Sequence, residues 1–294
     1  MHRIKTPLFI LGNPRSGTSL LRLMLTEHKS MIIPPECGFI QWWFDKYQDW
    51  SDQLSDIHYE RKVLQYVEDL KTSRKIETWD FDFELLTQFL NKKRPSTYSE
   101  LCLLVIEAYA IQKNKMVRYL GDKNNYYLSY LELIGELFPN AKYISIIRDG
   151  RDVACSYLSM KKVHSNSDYK PKLASSIEEI AEEWSSNINR IKLFLDKIKV
   201  EDSIWVRYED LITNTEEELS RITSFLDISF EKQMLDYYKS NNEPNELLAW
   251  KKKTQEKPDV KNIGKFRFEL TPDEIIEFET IAGPMLKKFK YDMN

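Results

Sequence analysis

The chain has 294 residues, with 43 lysines and arginines against 46 aspartates and glutamates, and a formal net charge of −3. This balance argues against a nucleic-acid-binding protein, which would carry a basic patch or stripe. Cys37, Cys102 and Cys155 are odd in number and lack metal-ligand spacing. The simplest interpretation is that all three are reduced packing residues rather than a disulfide framework.

The length allows one large α/β domain or two small ones, with a substantial core in either case. There are no repeats or low-complexity tracts, and we predict a single domain over residues 1–294. The sequence shows no signal-peptide core and no apolar run long enough to span a bilayer. We therefore expect a cytoplasmic protein without an integral membrane segment.

The first chemical motif is a turn between a predicted strand at residues 8–11 and a predicted helix from Leu20 onward. The turn reads Gly12-Asn13-Pro14-Arg15-Ser16-Gly17-Thr18-Ser19. A strand, a glycine turn and a helix N-terminus form a phosphate cradle, because backbone amides and the helix dipole favour an anion. The spacing is that of the NTPase P-loop, but Thr18 replaces its lysine and the cation is Arg15. The alternative is an ordinary strand-to-helix turn with an incidental arginine.

The next candidate is Glu36, which follows a short predicted strand at residues 31–33 and the pair Pro34-Pro35. Strand ends after a phosphate loop are where α/β folds place reactive groups, so Glu36 is our candidate general base. Alternatively, Glu36 caps the next helix, since acidic residues favour first turns. Residues 39–50 are rich in aromatic side chains, which either contact an acceptor or pack on the core, and residues 39–113 show helical patterns. We predict that they form a largely helical insertion on the acceptor side.

Two further predicted strands end in basic residues. The first closes on Lys123, which by itself could equally be a solvated lysine. The second, at residues 141–147, leads to Arg148, and Ser156 lies about two helical turns later. Arginine makes charge-assisted, often bidentate contacts and serine adds a hydroxyl, so this pair can converge on one anion. The alternative is a surface network of the charged residues at positions 149, 151 and 152.

The C-terminal third supplies weaker signals. A last predicted strand spans residues 203–211 and contains Tyr208, although the acidic residues after Tyr208 could instead begin the next helix. Gly264 is flanked by bases that include Lys265 and Arg267. A final helix is predicted over residues 273–289, with Ile276 on its packed face.

Several of these segments resemble those of the sulfotransferase family, which uses 3′-phosphoadenosine 5′-phosphosulfate (PAPS). Residues 14–21 resemble its 5′-phosphosulfate loop, in the Arg-Ser-Gly-Thr form of the tyrosylprotein and bacterial enzymes. Arg148 and Ser156 match the family's 3′-phosphate motif. Gly121-Asp122-Lys123 resembles the segment whose lysine points at the transferred sulfonate, although Asn124-Asn125 replaces the family's Thr-Pro.

The resemblance extends to three other positions. Glu36 matches the catalytic glutamate of the tyrosylprotein enzymes, Tyr208 matches a tyrosine near the adenosine, and residues 260–268 resemble the C-terminal loop around the 3′-phosphate. The implied fold is a three-layer, P-loop-like α/β domain with a mainly parallel sheet and helices on both faces. The implied catalytic residues are Arg15, Glu36 and Lys123. The implied nucleotide-binding residues are Pro14, Arg15, Ser16, Gly17, Thr18, Ser19, Arg148, Ser156, Tyr208, Lys265 and Arg267.

The implied reaction is transfer of a sulfuryl group from PAPS to a hydroxyl or amine, with release of 3′-phosphoadenosine 5′-phosphate (PAP) and without a metal. Protein tyrosine, sugar, lipid and small alcohol all remain possible acceptors. One alternative is an ATP-dependent nucleotide or small-molecule kinase, which would need the missing lysine and a Mg²⁺ aspartate, for which Asp149 is the candidate. Another is a non-catalytic nucleotide-binding module, against which Arg15, Glu36, Lys123 and Arg148 together argue.

Overall fold

The fold is built on one parallel sheet flanked by helices, which confirms the predicted α/β class. The computed structural model describes residues 5–161, 163, 167–240 and 243–293. Within them the strands are β1 (Thr6–Gly12), β2 (Met31–Ile32), β3 (Tyr119–Lys123), β4 (Lys142–Ile147) and β5 (Ser203–Arg207). Their spatial order is β2-β3-β1-β4-β5. The phosphate loop follows β1, Glu36 follows β2, Lys123 ends β3 and Arg148 follows β4.

The α-helices of the described residues are mostly short. They are α1 (Thr18–Thr26), α2 (Phe39–Trp42), α3 (Phe44–Tyr47), α4 (Asp56–Lys71), α5 (Phe83–Lys93), α6 (Tyr98–Gln112), α7 (Leu131–Leu137), α8 (Gly150–Met160), α9 (Ile177–Leu195), α10 (Tyr208–Thr213), α11 (Thr215–Phe225), α12 (Leu248–Lys251), α13 (Phe266–Glu269) and α14 (Pro272–Lys288). Two of the longest, α9 and α14, begin with capping boxes, Ser176 with Glu179 and Thr271 with Glu274. Each box satisfies amides that the first helical turn leaves without partners.

The chain packs as two compact units, one of residues 1–9 and 25–142 and the other of residues 10–24 and 143–294. In the first unit, α2 and α3 belong to an aromatic core in which Tyr47 and Trp50 contact the ring of Tyr66. The aromatic side chains of residues 39–50 are therefore largely packing residues, and residues 39–113 are mainly helical. Their position on the acceptor side stays a prediction. In the second unit, α8, α9 and α14 enclose a core that includes Trp184 and Phe278. The single domain stays a prediction.

Three local predictions were wrong. The last strand ends at Arg207 and Tyr208 begins α10. Pairing of β4 with β5 stops at Ile147 and Arg207, and beyond it the backbone N–H of Asp149 donates to the side chain of Glu209 at 2.9 Å instead of to a strand. The sequence pattern of residues 128–138 predicts one continuous helix, but the structure has the 3₁₀ helix Asn125–Ser129 followed by the shorter α7. Ile276 of α14 is 61% exposed, and its neighbour Ile275 is buried.

No helix among the residues described by the structure is long and apolar enough to cross a membrane.

Candidate active site

The phosphate loop connects β1 to α1 and depends on its two glycines. A Cβ at Gly12 would lie 2.8 Å from the carbonyl oxygen of Ile146. Gly17 has φ +95°, and a Cβ there would lie 2.6 Å from the ring of Tyr208. Arg15 also has a positive φ of 67°. The loop thus holds a backbone conformation that residues other than glycine rarely adopt. The first backbone amides of α1 have no hydrogen-bond partner within their own helix.

Arg15 belongs to the second unit, and two hydrogen bonds within that unit hold its guanidinium. Its Nε donates to Ser156 Oγ at 3.0 Å, and its Nη1 donates to the carbonyl oxygen of Trp250 at 3.0 Å. Burial, followed by the neighbouring charge of Arg148, lowers the pKa of the Arg15 guanidinium. Because arginine stays protonated in proteins, Arg15 and Arg148 both keep their positive charge, and an anion bound beside them would relieve their repulsion. The structure therefore brings Arg15 to Ser156, a residue predicted to bind the 3′-phosphate.

Arg148 is 6% exposed and lies beside the same loop. Its Nη2 donates to the carbonyl oxygen of Asn262 at 2.6 Å, and its guanidinium lies 4.4 Å from the ring centre of Tyr208. Its Nε and the Oγ of Ser16 are buried without a hydrogen-bond partner among the described residues. A buried donor without a partner costs free energy, so these atoms fit a ligand that bears negatively charged oxygens. The 3′-phosphate and 5′-phosphosulfate groups of PAPS carry such oxygens.

The charged residues at positions 149, 151 and 152 do form a network, as the alternative interpretation predicted, but this network is buried and not on the surface. Arg151 bridges Asp149 and Glu279, and the Asp149 carboxylate also accepts from the backbone N–H of Arg151. Asp152 accepts from the N–H groups of Gly264 and Phe266 at 2.8 and 3.0 Å. This network fixes the C-terminal loop beside α8. It leaves Arg148 and Ser156 available to an anion, so their binding role stays a prediction.

The C-terminal loop places its two predicted basic residues differently. Lys265 is partly exposed and pairs with Glu269 at 3.1 Å. Arg267 is exposed, and its guanidinium lies over the Phe266 ring at 4.6 Å. Lys253, which donates to the Asn262 side chain, was missed because it belongs to no sequence motif. Lys253 lies in the run Lys251-Lys252-Lys253, where nothing in the sequence distinguishes one lysine from the next.

In the first unit, Glu36 lies between two lysines. Lys123 Nζ is 2.7 Å from Glu36 Oε2, and Lys75 Nζ is 3.1 Å from Glu36 Oε1. The three side chains are at most 9% exposed. Lys75 was also missed, and no local motif marks it. It has φ 75° and precedes the 3₁₀ helix Ile76–Trp79, whose Trp79 indole donates to the carbonyl oxygen of Pro35 at 2.8 Å.

The same unit buries Asp122 next to Lys123. Burial raises the pKa of Asp122 to about 7, against the opposing effects of a hydrogen bond from Tyr127 and the charge of Lys123. The Tyr127 hydroxyl donates to Asp122 Oδ2 at 2.6 Å. All three cysteines are buried free thiols. Within the described ranges, no group of three or more histidine, cysteine, aspartate or glutamate side chains could hold a metal ion.

Comparison with solved structures shows the fold. The sulfotransferase domain from the curacin biosynthetic pathway superposes with a TM-score of 0.68 at 21% identity, and covers 99% of this chain and 100% of that one. A mouse sulfotransferase complexed with PAP superposes with a TM-score of 0.51 at 14% identity, over 98% of this chain and 86% of that one. Both similarities span nearly the whole of this chain.

Sequence comparison identifies the family and corrects one prediction. The chain is 24% identical over 294 residues to a protein-tyrosine sulfotransferase of Drosophila melanogaster, and the match covers 97% of this chain but only 51% of that protein. The tyrosine sulfotransferases that it resembles are Golgi membrane enzymes, so the cytoplasmic location predicted above is wrong. A profile described as the sulfotransferase family matches residues 7–232. The chain therefore belongs to the sulfotransferase family.

Proposed function

We propose that this protein transfers a sulfuryl group from PAPS to an acceptor hydroxyl and releases PAP. The observation that carries the proposal is the buried Arg148, whose Nε lacks a partner among the described residues, beside the phosphate loop. The relative complexed with PAP supports the nucleotide, and the family match supports the reaction. The comparisons give no support for a kinase or a non-catalytic module.

The second unit is proposed to bind the nucleotide. Arg148 and Ser156 would hold the 3′-phosphate, since a guanidinium and a hydroxyl supply charge-assisted hydrogen bonds. The loop from Pro14 to Ser19, with the N-terminus of α1, would hold the 5′ end through backbone amides. Tyr208 would lie near the adenosine, and Lys265 and Arg267 would contribute positive charge from the C-terminal loop.

The chemistry is proposed to depend on fixed charge. PAPS supplies a sulfonate on a phosphate leaving group, and negative charge develops on the bridging oxygen during transfer. Lys123 and Arg15 supply preorganised positive charge, which stabilises such a transition state more than it stabilises the ground state. Glu36 accepts the proton of the acceptor, with Lys75 and Lys123 within 3.1 Å of its two oxygens.

The names of the relatives favour a tyrosine hydroxyl as the first acceptor to test. No step of this mechanism requires a metal, so turnover should survive chelation of divalent cations. Complete loss of activity in EDTA with recovery in Mg²⁺ would favour a kinase instead.

Calorimetric titration with PAP and with ATP tests the nucleotide directly, because it needs no acceptor. We expect PAP to bind more tightly than ATP, since the loop lacks the lysine that reaches β- and γ-phosphates and the second unit offers Arg148 to a 3′-phosphate. Equal or tighter binding of ATP would overturn the proposal.

A further inference from the structure

Lys253 lies outside every motif of the sequence, but it is close enough to Arg148 and Arg15 to feel their positive charges. Lys253 lies in the 3₁₀ helix Lys252–Gln255, directly after α12. Its ammonium donates to Asn262 Oδ1. The Nδ2 of Asn262 donates to the carbonyl oxygen of Asp259 at 3.0 Å, which fixes the orientation of the amide. The carbonyl oxygen of Asn262 accepts from Arg148 Nη2 at 2.6 Å. Lys253 and Arg148 are thus held by one residue, through its side chain and its backbone.

The charges around Lys253 are mostly of its own sign. Partial burial, followed by the charges of Lys265, Arg148 and Arg15, lowers the pKa of Lys253, and Glu269 acts in the opposite direction. Glu269 is at the same time the partner of Lys265 at 3.1 Å. Such convergence of cations is unfavourable unless an anion joins them. The buried Arg148 Nε, which has no partner among the described residues, independently points to a ligand at this place.

We propose that Lys253 is a further ligand of the nucleotide's 3′-phosphate, an inference that rests on the proposed function. Arg148 reaches the phosphate as a planar, buried donor. Lys253 is exposed, and its ammonium sits on a flexible four-carbon stem, so it exchanges the neutral amide oxygen of Asn262 for a charged phosphate oxygen. Its contribution is therefore to discriminate nucleotides that carry a 3′-phosphate from those that do not.

The test compares PAP with adenosine 5′-monophosphate, which lacks only the 3′-phosphate. Affinities are measured by calorimetry for the parent protein, Lys253→Met and the matched control Lys252→Met, whose lysine is the adjacent residue and is also exposed. A hydrogen bond between charged groups contributes roughly 1.5–3 kcal/mol, which corresponds to about 10–100-fold in affinity. We expect Lys253→Met to lose PAP affinity on this scale with little change for the monophosphate. Lys252→Met should resemble the parent, and Lys253→Arg should recover part of the loss.

The outcomes separate the two proposals. A parent protein that binds PAP no better than the monophosphate contradicts the proposed function. A parent with a clear PAP preference that Lys253→Met retains in full overturns the role of Lys253 alone. Equal weakening of both nucleotides in Lys253→Met also overturns it, because that pattern reflects general damage rather than contact with the 3′-phosphate. Thermal unfolding of each variant confirms that folded proteins are compared.

Discussion

Replacement of Glu36 by glutamine is the most direct test of the proposed chemistry. Glutamine keeps the size of the side chain and an acceptor oxygen, but it cannot take a proton from an acceptor hydroxyl. Loss of a general base lowers turnover by about 10²–10⁴-fold. The structure adds a second effect, because Lys123 and Lys75 lie 2.7 and 3.1 Å from the Glu36 carboxylate and all three side chains are nearly buried. Removal of one partner of a buried ion pair costs roughly 3–5 kcal/mol, so the free energy of unfolding should also fall.

The assay must separate turnover from folding. Transfer from radiolabelled PAPS to a tyrosine peptide measures turnover, and calorimetric titration with PAP gives both the nucleotide affinity and the fraction of protein that can bind. Turnover divided by that fraction corrects for any unfolded material. Glu77→Gln is a matched control, since Glu77 is an exposed residue of the 3₁₀ helix that follows Lys75.

Two results would contradict the assignment of Glu36 as the general base. If corrected turnover of Glu36→Gln stays within a few-fold of the parent, Glu36 is not the base. If Glu77→Gln loses as much turnover as Glu36→Gln, the effect belongs to the segment and not to the carboxylate. Unchanged unfolding free energy in Glu36→Gln would leave the base assignment standing but contradict the stabilising role of its two lysine partners.

Three further predictions concern the charged groups of each unit. Arg148→Ala should weaken PAP binding by about 2–3 kcal/mol in calorimetry and Ser156→Ala by less, and equal affinity of the parent for nucleotides with and without the 3′-phosphate would contradict this. Arg15→Ala should lower turnover and also weaken PAP binding, because Arg15 Nε donates to Ser156 Oγ at 3.0 Å. Unchanged PAP affinity would show that Arg15 acts only on the transferred sulfuryl group. Since burial raises the pKa of Asp122 from 3.8 to about 7, the folded state binds the extra proton, and the unfolding free energy should fall as pH rises from about 4 to 7. Asp122→Asn should remove up to about 4 kcal/mol of this dependence in urea unfolding curves, and identical pH dependence in both proteins would refute it.

Local chemistry in the sequence was sufficient for much of the fold. The apolar run before Gly12 and the periodic leucines after Thr18 predict a strand and a helix, because burial periodicity and glycine turns act over a few residues. The same holds for the strand that leads to Arg148. These elements agree with the structure because propensity, pattern and tertiary packing favour the same conformation.

Where the local sequence signals were ambiguous, tertiary packing determined burial and secondary structure. Ile276 and Ile275 both suit α14, and only the position of the core determines that Ile275 is buried and Ile276 exposed. Tyr208 continues an apolar strand pattern, but it begins α10, because β5 has no further partner residues after Arg207. Propensity is a weak prior in such cases, and tertiary contacts override it.

The arrangement of charge was also decided by the tertiary structure. Sequence motifs alone identified four candidates, each of which follows or ends a predicted strand: Glu36, Lys123, Arg15 and Arg148. The sequence contained no signal for Lys75, which is 39 positions from Glu36, or for Lys253, which meets Arg148 through Asn262. Ion pairs and hydrogen bonds depend on separation in space, and a sequence pattern reports only separation along the chain. The motifs therefore indicated the chemistry proposed for this protein, and the fold determined which lysines lie beside the candidate residues.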